Sequence, residues 1–581
     1  ADPETRFARS GSDGPFGPVW LIVAVRGTVG CVADDFSLRC APLLAGSYDC
    51  VDRIVLNAYY PLGHTPGGLR TWWRRFHDGS DEQLDDTHLI RMAGRFARRV
   101  RAYAAAGGIP VIDCKRGERK HRIAEDYLAT HTVGTGVFLI LVARAPARVW
   151  EIRRSASTGV IGNIAKKIAY VNHYAFHIMD PQWGHVTIKM SGHPPFPAQV
   201  ILNGHEYVAI AAPAAGVRFT KEGNCFTSTA DPQGLAQIAE TVSRAGIVGR
   251  LTQVCDRWIY SACLCFGLDL AEQGMSWFRY EYSVYQAEYS RNLLFASGGQ
   301  MDRVFNTLLD RARSRLDVPV LRTMFGARKR PRQYGPAQLS PRLGTVLETP
   351  ARDLTVFKVH FGLLTLKGYT KGEHVLRFEA IAHNTRQLRC GRSLQRFPDI
   401  VTRLHGMCER FCTTLDCVDV SFVPAGTLDQ LPLPSQLGST RVAGIDLNKP
   451  RMRAVLAAVT ALSLAPGGFT VADLAARVQA MTGQASYTTR QAAYDVRKLR
   501  GKDLVVRPGR TRRYQVPPAA VRVITALLVL RDQVTAPLLA GIRVRRRNHI
   551  PATWTPVDRD YEALRTDMNA LFGHLGITTA A

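Results

Sequence analysis

The chain has 581 residues, room for about three or four domains, and 46% of them are apolar, which excludes a largely unfolded polypeptide. A net charge of +27 at pH 7 points to a polyanionic partner, with nucleic acid ahead of a membrane surface. No apolar run reaches the length of a membrane-crossing helix, and the 12 cysteines contain no paired CxxC knuckles.

In chain order, residues 1–45 lack periodicity and read as an arm. Residues 46–152 read as an α/β domain. Strands are expected at 51–58, 109–113 and 136–143, with helices at 84–106 and 117–129 between them, an alternation that predicts a largely parallel sheet. Ligands of such sheets sit at the carboxyl ends of the strands. Asp113 stands at one such end, and Asp113-Cys114-Lys115 matches the terminal D-x-K of metal-dependent nucleases of the restriction-enzyme type. The resemblance implies that Asp113 and a second carboxylate (Asp49, Asp52 or Glu125) hold Mg²⁺ or Mn²⁺, with Lys115 beside the attacking water. The alternative is a solvated strand end followed by a basic helix start.

Residues 153–326 read as a mixed β and helical domain. Short strands and turns are expected through 171–208, with Asn203-Gly204 as a hairpin turn. His173, His177, His185, His193 and His205 lie here with Asp180 and Glu206. Imidazoles and carboxylates together suit a transition metal. A strand through 173–177 puts two rings on one face and a hairpin brings a third near, so His173, His177, Asp180 and His185 are candidate metal ligands; histidines hydrogen-bonded within a half-buried sheet are the other reading. Helices are expected at 235–245 and 247–270. Phe278, Tyr282, Tyr285 and Tyr289 form a stripe at helical spacing that predicts an aromatic helix over 277–295.

Residues 327–342 form a basic, Pro-rich linker. Residues 343–422 read as a β-meander followed by a helix at 397–420. Alternation puts Lys367 and Tyr369 on one face of the second strand of the meander, and Arg377 and Glu379 on one face of the third. The pattern K-x-Y-x-K followed by L-R-F-E resembles the central strands of plasmid rolling-circle replication initiators, although no HisxHis pair is present. That resemblance implies that Glu379 is a catalytic metal ligand. An edge sheet charged against aggregation is the alternative.

Residues 423–444 read as a linker, and 445–518 hold the most specific pattern in the chain. Thr470 is placed to cap a helix from 471 to about 481, the turn Thr482-Gly483-Gln484 ends it, and Thr488 or Thr489 opens a second helix to Arg500, with Gly501 as its C′ residue. Two short strands follow, 503–507 and 512–516, around Pro508-Gly509. Helix, turn, helix and a basic ribbon resemble a winged helix-turn-helix DNA-binding domain, with 450–462 as its first helix. The resemblance implies that the second helix enters the major groove through Arg490, Gln491, Tyr494, Arg497 and Lys498, and that Arg507, Arg510, Arg512 and Arg513 of the wing meet the backbone. Residues 519–581 are expected to be helices around the basic tract 543–547.

The fold class expected is therefore multidomain α/β and α+β, with an N-terminal α/β layer, a central mixed body and a C-terminal winged helix. The function expected is duplex DNA binding joined to metal-dependent phosphodiester cleavage, as in a nuclease, a transposase-like enzyme or a replication initiator. A non-enzymatic regulator or architectural protein and an RNA-binding protein stand as alternatives. The spacing of Cys408, Cys412 and Cys417, and the apolar run around Cys263 and Cys265, suit buried thiols of a reducing, cytoplasmic setting.

Overall fold

The computed structural model describes residues 34–115, 117–315, 343–348, 356–361, 363–419, 426–465, 467–509, 511–535 and parts of 559–567. The linker at 327–342, Arg510, the basic tract 543–547, most of the last expected helix and residues 1–33 lie outside the described residues.

Eleven strands make one sheet. In chain order they are β1 (Leu44–Tyr59), β2 (Val111–Asp113), β3 (Gly136–Arg154), β4 (Ile161–Asp180), β5 (Gly184–Ser191), β6 (Ala198–Asn203), β9 (Glu281–Phe295), β10 (Leu343–Glu348), β11 (Val356–Phe361), β12 (Leu364–Lys371) and β13 (Val375–Ala382), with β7 (Phe219–Lys221) and β8 (Phe226–Thr229) forming a separate hairpin. The spatial order is β10-β11-β12-β13-β9-β1-β6-β5-β4-β3-β2. The sheet is mixed: β2 pairs with β3 in parallel, and the other pairings are antiparallel. The largely parallel N-terminal layer is thus corrected. Of its three expected strands, β2 and β3 do pair in parallel, but β1 is central and separated from them, and β2 lies at the far edge. Strands β3 to β6 follow one another by short connections, which suit antiparallel pairing. The sheet also runs through the boundaries expected near 152 and 326.

Helices pack on the sheet through apolar stripes. They are α1 (Asp35–Cys40), α2 (Pro66–Phe76), α3 (Asp86–Gly107), α4 (Lys120–Thr130), α5 (Gly204–Ala214), α6 (Pro232–Thr241), α7 (Ile247–Ala262), α8 (Leu270–Ser276), α9 (Gly298–Arg315) and α10 (Phe397–Asp419). Helix α3 starts at Asp85, whose carboxylate accepts from the His88 N–H at 2.7 Å, and ends at Gly108 in the left-handed region. Its Leu89, Phe96 and Val100 share a core with Trp72 and Trp73 of α2, Ile259 of α7 and the strand residues Phe176, Ile188 and Val200. Each such side chain contributes about 1.5–3 kcal/mol on burial. Helix α10 covers β13, with Phe411 set edge-on to Phe378.

Two local expectations change. The stretch expected as a helix over 277–295 is instead strand β9 from Glu281 onward, with Phe278 just ahead of it. Tyrosine and valine favour a pleated surface, and β9 is held between β1 and β13, so burial on both sides outweighs the helical spacing. Asn203-Gly204 is not a hairpin turn: Asn203 caps α5, its side chain accepting from the His205 N–H at 2.8 Å. Strand β6 is already paired on both sides, with β5 before it and with β1 far back in the chain, so no following strand is needed there.

Beyond α10 come α11 (Thr427–Gln430) and a two-stranded ribbon, β14 (Ser435–Leu437) with β15 (Thr440–Val442), in what the sequence suggests is a linker. Helices α12 (Pro450–Leu462), α13 (Val471–Thr482), α14 (Thr489–Arg500) and α15 (Pro518–Val529) close a second core around Leu456, Val459, Leu474, Val496 and Ile524. The two strands expected after α14 are reduced to single bridges, Val506 to Gln515 and Phe469 to Tyr514. Arg522 of α15 pairs with Asp416 of α10 at 2.9 Å, tying this unit to the sheet. The ten cysteines whose side chains are described are free thiols, and no helix among the described residues is long and apolar enough to cross a membrane.

Candidate nucleic-acid interface

Helix α14 is built by its cap and its buried stripe. Thr488 Oγ1 accepts from the Gln491 N–H at 3.3 Å, and the Gln491 side chain accepts from the Thr488 N–H at 2.8 Å. Gln491 therefore holds the helix start rather than standing ready for a base. Ala492, Val496 and Leu499 are buried, and so is Asp495, which the sequence reading passed over. Asp495 accepts from Arg451 of α12 at 2.7 Å and from the Tyr487 hydroxyl at 2.9 Å. This pairing fixes α14 against α12, and a carboxylate inside an apolar stripe was the available signal for it. Burial, with Asp495 beside it, pushes the Tyr487 hydroxyl well above its usual pKa.

The outer face carries Arg490, Tyr494 and Arg497, all exposed, with the Lys498 ammonium 4.9 Å from the centroid of the Tyr494 ring. Burial lowers the Lys498 pKa. Such a stacked pair holds a cation in place at the surface. In the following loop Arg507 and Arg512 are exposed. Arg507 folds back to donate to the Thr511 carbonyl, and Arg513 donates to the Gly468 carbonyl at 2.6 Å, so it pins the loop to the start of α13. Gly501 continues the helical conformation, and the left-handed residue is Asp503.

The other expected sites are dispersed. Asp113 is exposed at the end of β2 and pairs with Arg101 at 3.1 Å. The Lys115 backbone N–H donates to Glu118. No second carboxylate joins Asp113: Asp49 pairs with Arg291 at 2.8 Å, Asp52 pairs with Arg377, and Glu125 is exposed on α4. Asp180 is saturated by the Gln182 and Trp183 N–H groups, Arg257 and the Trp258 indole, so it shapes the β4–β5 turn. His177 Nδ1 meets His185 Nε2 at 2.9 Å. Burial first, then His185 and Lys189, push His177 down to about 3. His173 is four residues along the same strand, about 13 Å away. Among the described residues no group of three or more His, Cys, Asp or Glu side chains is placed to hold a metal ion.

Glu379 sits in a buried charge network. Tyr369 donates to it at 2.6 Å, Arg377 at 2.8 Å and Lys367 at 3.4 Å. Arg377, fully buried, also binds Asp52 and the Asn224 carbonyl. Burial alone would raise the Asp52 carboxyl, but Arg377 and His205 outweigh it and hold it well below the usual range. Strand β13 is an interior strand, so these charges do not guard an edge. The cationic partners of Glu379 and Asp52 already balance them, so the residues present do not fit a divalent ion. On neighbouring β9, Glu288 is pushed up to about 7 by burial and by Asp52 and Glu379. Its position follows from the irregular register of β1 between Val51 and Ile54, which no local pattern announces.

No family model matches this chain, and no curated protein or solved structure matches it.

Proposed function

We propose that this chain binds duplex DNA through α14, acting as the recognition helix of a winged helix-turn-helix formed by α12, α13, α14 and the loop after it. The observation that carries the reading is the division of α14 into two faces. One face closes a core with α12 and α13, while the other leaves Arg490, Tyr494, Arg497 and Lys498 toward solvent. Arg507 and Arg512 continue the positive surface into the loop. Arginine and lysine on a helix of groove-entering size meet phosphates and guanine edges, and the net charge of +27 favours such a partner. Metal-dependent cleavage at Asp113, Lys115 or Glu379 has no comparable support, since each is engaged by protein groups or stands apart from a second carboxylate.

The test is duplex binding measured by fluorescence anisotropy over a range of salt. Arg497→Ala with Lys498→Ala is expected to weaken binding and to reduce the slope of log affinity against log salt by about 1.8. Unchanged affinity and slope would remove α14 from the interface.

A further inference from the structure

A cleft of about 1300 Å³ opens over the sheet where Asn57 and Tyr59 of β1, His173 of β4 and Lys189 of β5 approach the start of β9. Four cations line it: Lys120 in the first turn of α4, Lys189, Arg279 and Arg392. Its two carboxylates are occupied by tyrosines. Tyr282 donates to Asp256 at 2.6 Å, and Tyr59 donates to Glu281 at 2.7 Å. Among the described residues none of the four cations forms an ion pair, and the buried Arg392 Nε makes no hydrogen bond.

The four cations outnumber the cleft's two carboxylates, and an entering anion relieves the repulsion among the surplus positive charges. Burial, then Arg53 and Lys120 nearby, lower the Lys189 pKa. His173 is likewise held down, by burial and Lys120. The wall also carries rings: Tyr59 lies edge-on to His64 with centroids 5.1 Å apart, and Tyr282 is half-buried beside them. The volume exceeds the roughly 300–1,000 Å³ usual for a pocket that takes one small molecule.

We infer that this cleft binds a single-stranded nucleic-acid segment, with Lys120, Lys189, Arg279 and Arg392 meeting successive phosphates and Tyr59, Tyr282 and His64 offering surfaces to unpaired bases. A lone nucleotide would satisfy only part of the cation set. A duplex, whose bases already stack on one another, leaves the rings without partners. The site is separate from α14 and does not depend on it.

The experiment is anisotropy of labelled oligothymidylate and oligouridylate, each of about twelve residues, with the full chain at several salt concentrations. Lys120→Gln with Lys189→Gln is expected to weaken binding on the order of tenfold and to flatten the salt slope by about 1.4. Arg497→Ala with Lys498→Ala leaves single-strand binding unchanged, which separates this site from the duplex interface. Preference for one oligonucleotide identifies DNA or RNA as the source of the strand. An unchanged thermal midpoint shows that the variant is folded; should the double variant unfold, the exposed Arg279→Gln carries the same expectation at smaller size. Failure of both oligonucleotides to bind, or equal affinity and slope in folded cleft variants, overturns the proposal.

Discussion

The sheet and the C-terminal helical unit use charge in opposite ways. In the sheet, Asp52, Arg377 and Glu379 are buried together, and their charges are spent on one another. Among the described charged residues of the C-terminal unit only Asp495 is buried, held by Arg451 and Tyr487, while Arg490 and Arg497 of α14 are exposed. A buried network positions strands and leaves little free for a ligand. An exposed row of cations positions nothing and remains available. Charged residues in a sequence therefore carry no function until their partners are known.

The largest expected effect breaks the buried side of this comparison. Arg377→Ala leaves Asp52 and Glu379 desolvated without their guanidinium and should destabilise the sheet by about 3–5 kcal/mol. Urea unfolding followed by the fluorescence of the buried Trp72, Trp73 and Trp183 reads it. A loss below about 1 kcal/mol would place the network among surface-like pairs.

Glu288 sharpens the same comparison through pH. Its folded pKa is raised to about 7, against about 4.3 unfolded. The folded state then binds more protons between those values, so stability falls as pH rises from about 4 through 7. Glu288→Gln is expected to remove that fall and to stabilise the protein by roughly 3–4 kcal/mol at pH 8 while changing little at pH 4. Equal urea midpoints for the two proteins at pH 8 would refute it. Asp52 acts in the opposite sense: its depressed pKa adds stability that is present above about pH 4 and is lost as pH falls further.

The smallest effect lies in the helical unit. Thr488→Ala removes the cap of α14 and should cost about 1 kcal/mol, read as faster amide exchange at the start of that helix. Unaltered exchange there would show that packing on α12, rather than the cap, holds the helix end.

The elements legible in the sequence were those whose cause is local. Thr470 and Thr488 announce α13 and α14 because a cap bonds to groups within three residues of itself. Helix α3 was equally plain, expected over 84–106 and found over Asp86–Gly107. The alternation that sets Lys367 with Tyr369 and Arg377 with Glu379 was readable too, because successive strand residues face opposite ways. Pairing across the chain was not. That β1 lies between β6 and β9, that Asp52 meets Arg377 from 325 positions away, and that β9 is a strand despite its helical spacing all depend on which distant segment supplies the hydrogen bonds and the burial. The same holds for the cleft, whose Lys120, Lys189 and Arg392 come from three separated stretches. The sequence by itself determined composition, charge and the short-range geometry of helices and caps; only the tertiary structure decided which charges cancel and which remain for a partner, because electrostatic pairing acts between neighbours in space rather than along the chain.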